Sequence, residues 1–578
     1  MTEQQQDRGH WLDKYATDYA SWELSAGSNG SQMFKRPLGL VESSFDADGT
    51  YYGGRADMTS LFSLSIQHKL SKAELRRRIA IAWTSLRLQH PLLFARVMDD
   101  PATGTRNFAV DIPSSPKAAT QEVENSITWF EDTYPDVNEK EVYHHAYNVT
   151  RIIEPRKCLS KLHVLPITQH PDGTHTLRLL IIIAHQISDG LSANSWFSHF
   201  IRILNQPSQA ILADIASCGQ AKNIQAVLPV AQEGLYPPIT GNRARKRWFW
   251  ALIRVLRYVK KGLPPTFTNP LRRAQRLETS PPLQPKFDRI FDYNPATRPP
   301  MSCGHISASL SPSASSRLIA LCRSANVSIG AGCFALAGLS MMVIHESLSP
   351  SSSHHPAFTA SFPLNPRAFF VNPPPPDSCM LAFSEGIVMP FLSSTLPVEG
   401  RFKLVAKHAN RELRVYQKRK LKGTELKGTP GILDKYSPGR LLATGYVAQV
   451  ERVEAKLPAN RRTASWSNPQ GSLLPSTAGF GATCGVSSIG PLAAFFKRGT
   501  YDLKNLGEKD FAADFQDLKV GVRAREGEFL VGSSTSAEGI VGFGVSYDLN
   551  AISEEKAELW RRTIEGLLEV GKGERARL

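Results

Sequence analysis

The sequence predicts an α/β protein built as two lobes, each a mixed sheet with flanking helices. Three observations carry that expectation. Apolar periods of two and of 3.6 residues alternate along both halves of the 578-residue chain. A less regular stretch, 205–300, separates the halves and holds Pro264-Pro265, Pro281-Pro282 and Pro299-Pro300, which suit an extended connector. One apolar strand leads into Ala184-His185-Gln186-Ile187-Ser188-Asp189-Gly190, a His-x-x-x-Asp-Gly element that opens an amphipathic helix. The boundaries read from these signals are 1–235 for the first lobe, 236–300 for a crossover connector and 301–578 for the second lobe.

In the first half, Ser60 to Gln67 alternates as a strand. Ser71-Lys72-Ala73-Glu74 has the pattern of a capping box, and Leu75, Ile79, Ala82 and Leu86 line one face of the helix it opens. His90-Pro91 ends that helix, because a residue before proline is driven out of the helical region. Leu92 to Val97 reads as the next strand and Ala118 to Phe130 as a second helix. Leu177 to Ile183 is the strand that delivers the motif, and Leu191 to Leu204 is the helix after it.

The second half repeats the theme. His305 to Leu310 alternates, and Ser311-Pro312 caps and starts a helix. Ile329 to Ile344 is a nearly continuous apolar helix, expected to be buried. Ala357 to Leu364 reads as a strand, Arg401 to Lys420 as a basic helix, Ile540 to Leu549 as a strand and Ser553 to Val570 as a closing helix.

Composition narrows the function classes. Apolar residues are 42% and charged residues 21%, which suits a globular protein with an ample core. No run of 18 apolar residues predicts a membrane-spanning helix, and the polar N-terminus carries no signal-peptide core, so a cytoplasmic location is the expectation. Seven cysteines without C-x-x-C spacing fit reduced thiols rather than a disulfide framework or a zinc site, and no metal is expected. The net charge of +16 is scattered and comes with no nucleic-acid motif, so nucleic acid is not expected as a partner. It is either a solvated basic surface or a field that attracts an anionic substrate. Arg243 to Lys261 is basic and amphipathic, and two uses fit it: a helix packed on a lobe, or peripheral contact with a membrane.

The chemistry concentrates at the motif. An imidazole titrates near pH 6.5, so a neutral His185 accepts a proton from a hydroxyl or an amine at working pH. Asp189 is placed either to hold that ring or to turn away and pair with an arginine. Gly190 is expected to supply backbone angles that side chains forbid. No Gly-x-Ser-x-Gly elbow accompanies His185. The histidine is therefore expected to activate the substrate's own nucleophile.

A strand, His-x-x-x-Asp-Gly, an amphipathic helix, a long connector and a second α/β lobe together resemble the CoA-dependent acyltransferase superfamily. Its members include chloramphenicol acetyltransferase, the plant BAHD enzymes, carnitine acyltransferases and condensation domains. Arg36-Pro37-Leu38-Gly39-Leu40-Val41-Glu42, Arg55-Ala56-Asp57-Met58 and Phe362-Pro363-Leu364-Asn365-Pro366-Arg367 look most like the fungal trichothecene 15-O-acetyltransferase group. The resemblance implies two chloramphenicol-acetyltransferase-like lobes with an active-site tunnel between them. It implies His185 as general base and acyl-CoA, above all acetyl-CoA, as co-substrate. The acceptor would be a small-molecule alcohol such as a terpenoid of fungal secondary metabolism, and the chain a monomer. Asp189 and Gly190 would be structural, and Arg367 is the candidate partner of Asp189. Ser488, in Val486-Ser487-Ser488-Ile489-Gly490, is the candidate donor to a developing oxyanion, an interaction worth about 3 kcal/mol in other enzymes.

The chain departs from relatives at two places. Ala184 stands where condensation domains carry a second histidine, and the BAHD Asp-Phe-Gly-Trp-Gly motif is absent. The alternatives to an O-acyltransferase are a condensation-like N-acyltransferase and a non-catalytic acyl-CoA or metabolite binder at a membrane surface.

Overall fold

A computed structural model describes residues 11, 13–27, 30–100, 104–259, 265–299, 301–348, 355–383, 386–417, 434, 437–462, 469 and 482–569. The elements that position the site are, in order, α1 (Leu40–Tyr51), β1 (Met58–His68), α2 (Lys72–Gln89), β2 (Thr128–Trp129), β3 (Ser160–Val164), β4 (His175–Ile183), α3 (Gly190–Leu204) and α4 (Arg243–Val259). The second half supplies β5 (Cys303–Ser309), α5 (Ile329–Leu348), β6 (Phe358–Ser361), β7 (Ile387–Met389), α6 (Val398–Gln417), α7 (Pro438–Lys456), β8 (Cys484–Pro491), β9 (Phe511–Val522), β10 (Phe529–Thr535), β11 (Val541–Asp548) and α8 (Glu554–Gly566).

Among the described residues, two mixed sheets of six strands form the lobes. One runs β9–β1–β4–β3–β2, with Thr168–Gln169 paired beside β4. The other runs β5–β11–β10–β8–β6–β7. Each sheet has its own apolar core. Phe62, Trp83, Leu180 and Phe200 lie in the first, and Phe334, Phe358, Val531 and Trp560 in the second. The α/β two-lobed architecture expected from the sequence is the one observed.

Several local expectations are corrected. Leu92 to Val97 is not one strand. Pro91–Leu93 forms a single 3-10 turn that buries Leu92 and Leu93, and a strand begins only at Arg96. The helix expected over Ala118–Phe130 stops at Ser126, and Phe130 starts a separate 3-10 turn whose ring is buried in the first core. Ala357 to Leu364 splits at Phe362, where Pro363 cannot continue the hydrogen-bond ladder of β6. The region 205–300 is not a bare connector. Ser208–Cys218 and Ala221–Val227 are helices, and Phe287 and Phe291 are buried in the first core while Phe267 and Leu271 are buried in the second.

The boundary at 301 does not divide the sheets either. β9 leaves the second half of the chain and pairs antiparallel with β1 from Phe511 opposite His68 to Val522 opposite Met58. A strand from residues 511–522 thus forms one edge of the first lobe's sheet.

α5 is long and apolar enough to cross a membrane by composition, yet 72% of its most apolar window is buried. Gly338 explains how closely it sits on the second sheet. A Cβ there would come within 2.5 Å of the Met389 side chain and 3.3 Å of the Phe358 ring.

Candidate functional site

The motif sits where the two halves of the chain meet. β4 is an inner strand with nine residues paired to β1, which fixes its exit. Beyond Ile183 the chain turns. Ala184 donates its amide to Leu159 O, Ile187 to Ala184 O and Ser188 to His185 O. The turn ends at Asp189, which caps α3. Its Oδ1 accepts from Leu191 N at 3.0 Å and Ser192 N at 2.9 Å, while Ser192 Oγ accepts from Asp189 N at 2.8 Å. This reciprocal cap satisfies amides that the first helical turn leaves without partners.

The other oxygen of Asp189 reaches across to the second half. Oδ2 lies 2.8 Å from Arg367 Nη1 and accepts from Met380 N at 3.1 Å. Arg367 donates through Nη2 to Ser378 O at 2.6 Å. Both side chains are about 95% buried. Of the two uses the sequence left open for Asp189, the structure shows the pairing with an arginine. One carboxylate therefore caps the helix after His185, neutralises a buried guanidinium and holds the 378–380 segment in place.

Gly190 departs from expectation. It is the first residue of α3 and is not among the residues with positive φ. A Cβ there would meet Ile489 Cδ1 at 3.7 Å, an ordinary contact. The special geometry is carried by Asp189, whose extended backbone is what a helix N-cap requires.

His185 is partly exposed. Its ring stacks on Phe45 of α1, with centroids 4.0 Å apart and planes within 2°. Cys379 Sγ lies 3.9 Å from His185 Nδ1. Phe45 and Cys379 belong to a small apolar cluster with Val41 and Ala56. Burial lowers the imidazole pKa below its ordinary 6.5, against the upward pull of its own backbone carbonyl and of Asp189. The ring's polar side-chain neighbour among the described residues, Cys379 Sγ, lies on Nδ1, which leaves the Nε2 side without one. Among the described residues no hydrogen bond to Nε2 is present. Cys379 is not a competing nucleophile: burial first, and the Asp189 charge second, push its thiol well above 9, so it stays protonated at neutral pH.

Behind Phe45 lies a charged cluster that sequence reasoning missed. Asp48 of α1 is fully buried and pairs with Lys456 Nζ at 2.6 Å and Arg525 Nη2 at 2.8 Å. Burial brings the Lys456 ammonium down to about 7 despite Asp48. These pairs tie α1, and with it Phe45, to the second half.

Ser488 is partly exposed and turned toward α5. Its Oγ lies 3.3 Å from where a Cβ of Gly330 would stand. The next residue, Ile489, sits at a β-bulge between Ser488 and Gly490 and is the one that reaches Gly190. The structure thus brings together His185, Asp189, Gly190 and Arg367. Among the described residues no hydrogen bond joins Ser488 to His185. Two surface pockets, of about 510 and 530 Å3, lie away from this site, and neither is lined by His185.

No protein-family model and no curated protein matches the sequence. Solved structures do match the fold. Trichothecene 15-O-acetyltransferase from Fusarium sporotrichioides superposes with a TM-score of 0.62 at 12% identity, covering 95% of this chain and 97% of that one. The chain has the fold of that acetyltransferase structure. A four-domain nonribosomal peptide synthetase bound to AMP and glycine matches with a TM-score of 0.50 at 10% identity, over 95% of this chain and 33% of that one. In this chain the motif loop and the segment that grips it come from opposite halves, as the pairing of Asp189 with Arg367 shows.

Proposed function

We propose that this protein is an acyl-CoA-dependent O-acyltransferase, with acetyl-CoA as donor and a hydroxyl of a small secondary metabolite such as a terpenoid as acceptor. The observation that carries the reading is the state of His185. Its ring is held on one face by Phe45, burial keeps it neutral, and Nε2 makes no hydrogen bond among the described residues.

In the proposed reaction, the acceptor's O–H proton passes to His185 Nε2 as its oxygen attacks the thioester carbonyl. The tetrahedral intermediate then collapses. The carbon–sulfur bond breaks, the CoA sulfur takes the proton back from the imidazolium, and the products are an ester and free CoA. Asp189 and Arg367 act on this sequence by position alone, since both are committed to each other and to backbone groups. Ser488, whose hydroxyl lies beside the first turn of α5, remains the candidate donor to the developing oxyanion.

Acetyl-CoA and a panel of hydroxylated terpenoids, with released CoA thiol as the readout, test the proposal. His185→Ala is expected to reduce turnover by about 10²- to 10⁴-fold with the circular dichroism spectrum unchanged. Turnover equal to that of the unaltered chain retires the proposal.

A further inference from the structure

Helix α4 has two apolar faces, and the protein uses only one of them. Phe249, Trp250 and Ile253 are buried. They pack into a cluster with Tyr15, Leu442 and Tyr446, where the Trp250 ring meets Tyr15 at 5.0 Å and Tyr446 at 5.8 Å. Arg257 fastens the helix to Glu451 of α7 at 2.8 Å. The helix is therefore docked on the body without help from its other side.

That other side is apolar as well. At 100° per residue, Trp248, Leu252, Val255, Tyr258 and Val259 fall within an arc of roughly 120°. Trp248 is 70% exposed, Val255 55%, Tyr258 55% and Val259 73%. No other helix of the chain combines so many exposed large apolar side chains among the described residues. The first turns of α4 add Arg243, Arg245, Lys246 and Arg247, all exposed, and the helix has no acidic residue.

We propose that α4 is a docking surface for an anionic phospholipid membrane, lying in the interface with Trp248, Val255 and Val259 immersed and the cations at its N-terminal end against the headgroups. A rigidly docked helix with one outward apolar stripe and a basic end has the form of a monotopic membrane anchor. Charge selects among the occupants of such a face. A second copy of a chain with net charge +16 is repelled, whereas a negative lipid surface is attracted. The geometry does not depend on the acyltransferase reading and is tested without any activity.

The full chain is co-sedimented with vesicles of phosphatidylcholine alone and of phosphatidylcholine mixed equally with phosphatidylserine, at low and at physiological salt. Binding to the mixed vesicles, weakened by salt, is expected. Trp248→Ser with Val259→Ser is expected to reduce partitioning about tenfold. Replacing the four N-terminal cations by Gln is expected to reduce it by about a hundredfold or more. Both variants leave the buried face of α4 untouched, so their circular dichroism spectra should match the parent's. Three results each overturn the proposal: no binding to phosphatidylserine vesicles, binding unaffected by either variant, or self-association in sedimentation equilibrium that the Trp248/Val259 variant abolishes.

Discussion

His185 and His199 flank the same helix, one just before α3 and the other on it, and their environments lower both pKa values. Their hydrogen bonds separate them. His199 uses both nitrogens: Nδ1 lies 2.8 Å from His90 Nε2, and Nε2 lies 2.7 Å from Arg202 Nη2. His90 continues the chain, with Nδ1 3.0 Å from Asp377 Oδ1. Burial, His90 and Arg202 together push His199 down to about 3. His185 is held by a stacked ring and a thiol and keeps Nε2 for something else. Burial alone therefore does not make a histidine a base. The base proposed at His185 also needs a spare nitrogen, and His199 has none.

Three experiments bear on that contrast. The largest effect is expected at the support under His185. Arg367→Ala leaves Asp189 as a buried charge without its partner and should cost about 3–5 kcal/mol in denaturant unfolding, with acyl transfer reduced as well. A loss below 1 kcal/mol would mean that the pair does not hold the loop. Next comes the committed histidine. His199→Phe should cost about 1–3 kcal/mol by stranding the buried His90, while kcat stays within about twofold. A loss of kcat as deep as that of His185→Ala would erase the distinction. The same variant tests the sign of the proton linkage. Between pH 6.5 and about 3 the unfolded state protonates this ring and the folded state does not, so stability falls as pH falls. His199→Phe should flatten that fall. The smallest effect concerns titration. His185 is lowered by burial, so the acid limb of kcat/KM should lie below pH 6.5, and Phe45→Ala should move it upward by admitting water to the ring. A limb at or above 6.5 in the unaltered chain contradicts the assigned environment.

The readable part of the molecule is the local part. The strand–turn–helix at 183–191 follows from an apolar run and an amphipathic pattern, each contained in a few residues, whereas the Asp189–Ser192 cap between them emerged only from the structure. Ser71 with Glu74 and Ser311 with Pro312 were legible for the same reason. What the sequence hides is contact at a distance. Cys379 stands 194 residues from His185, and no spacing announces it. Phe45 is equally remote, although Arg36-Pro37-Leu38-Gly39-Leu40-Val41-Glu42 builds the start of its helix. Glu42 binds Arg36 and accepts from Gly39 N, which sets the angle at which α1 presents Phe45. Ser488 shows a third limit. A β-bulge between Ser488 and Gly490 breaks the alternation there, and only packing shows that Ile489 meets Gly190 while Ser488 lies beside Gly330. For α4, amphipathicity was evident, yet the second apolar side becomes apparent only once the first is seen to be occupied.

The pairing of β9 with β1 bears on how the molecule is made. During synthesis the first sheet keeps a bare edge until residues 511–522 have left the ribosome, because no earlier segment occupies that place. Unpaired edges invite wrong partners. The nascent first lobe thus has to be shielded, or to stay loose, through more than three hundred residues of further translation, and the last third of the polypeptide closes a structure begun by the first.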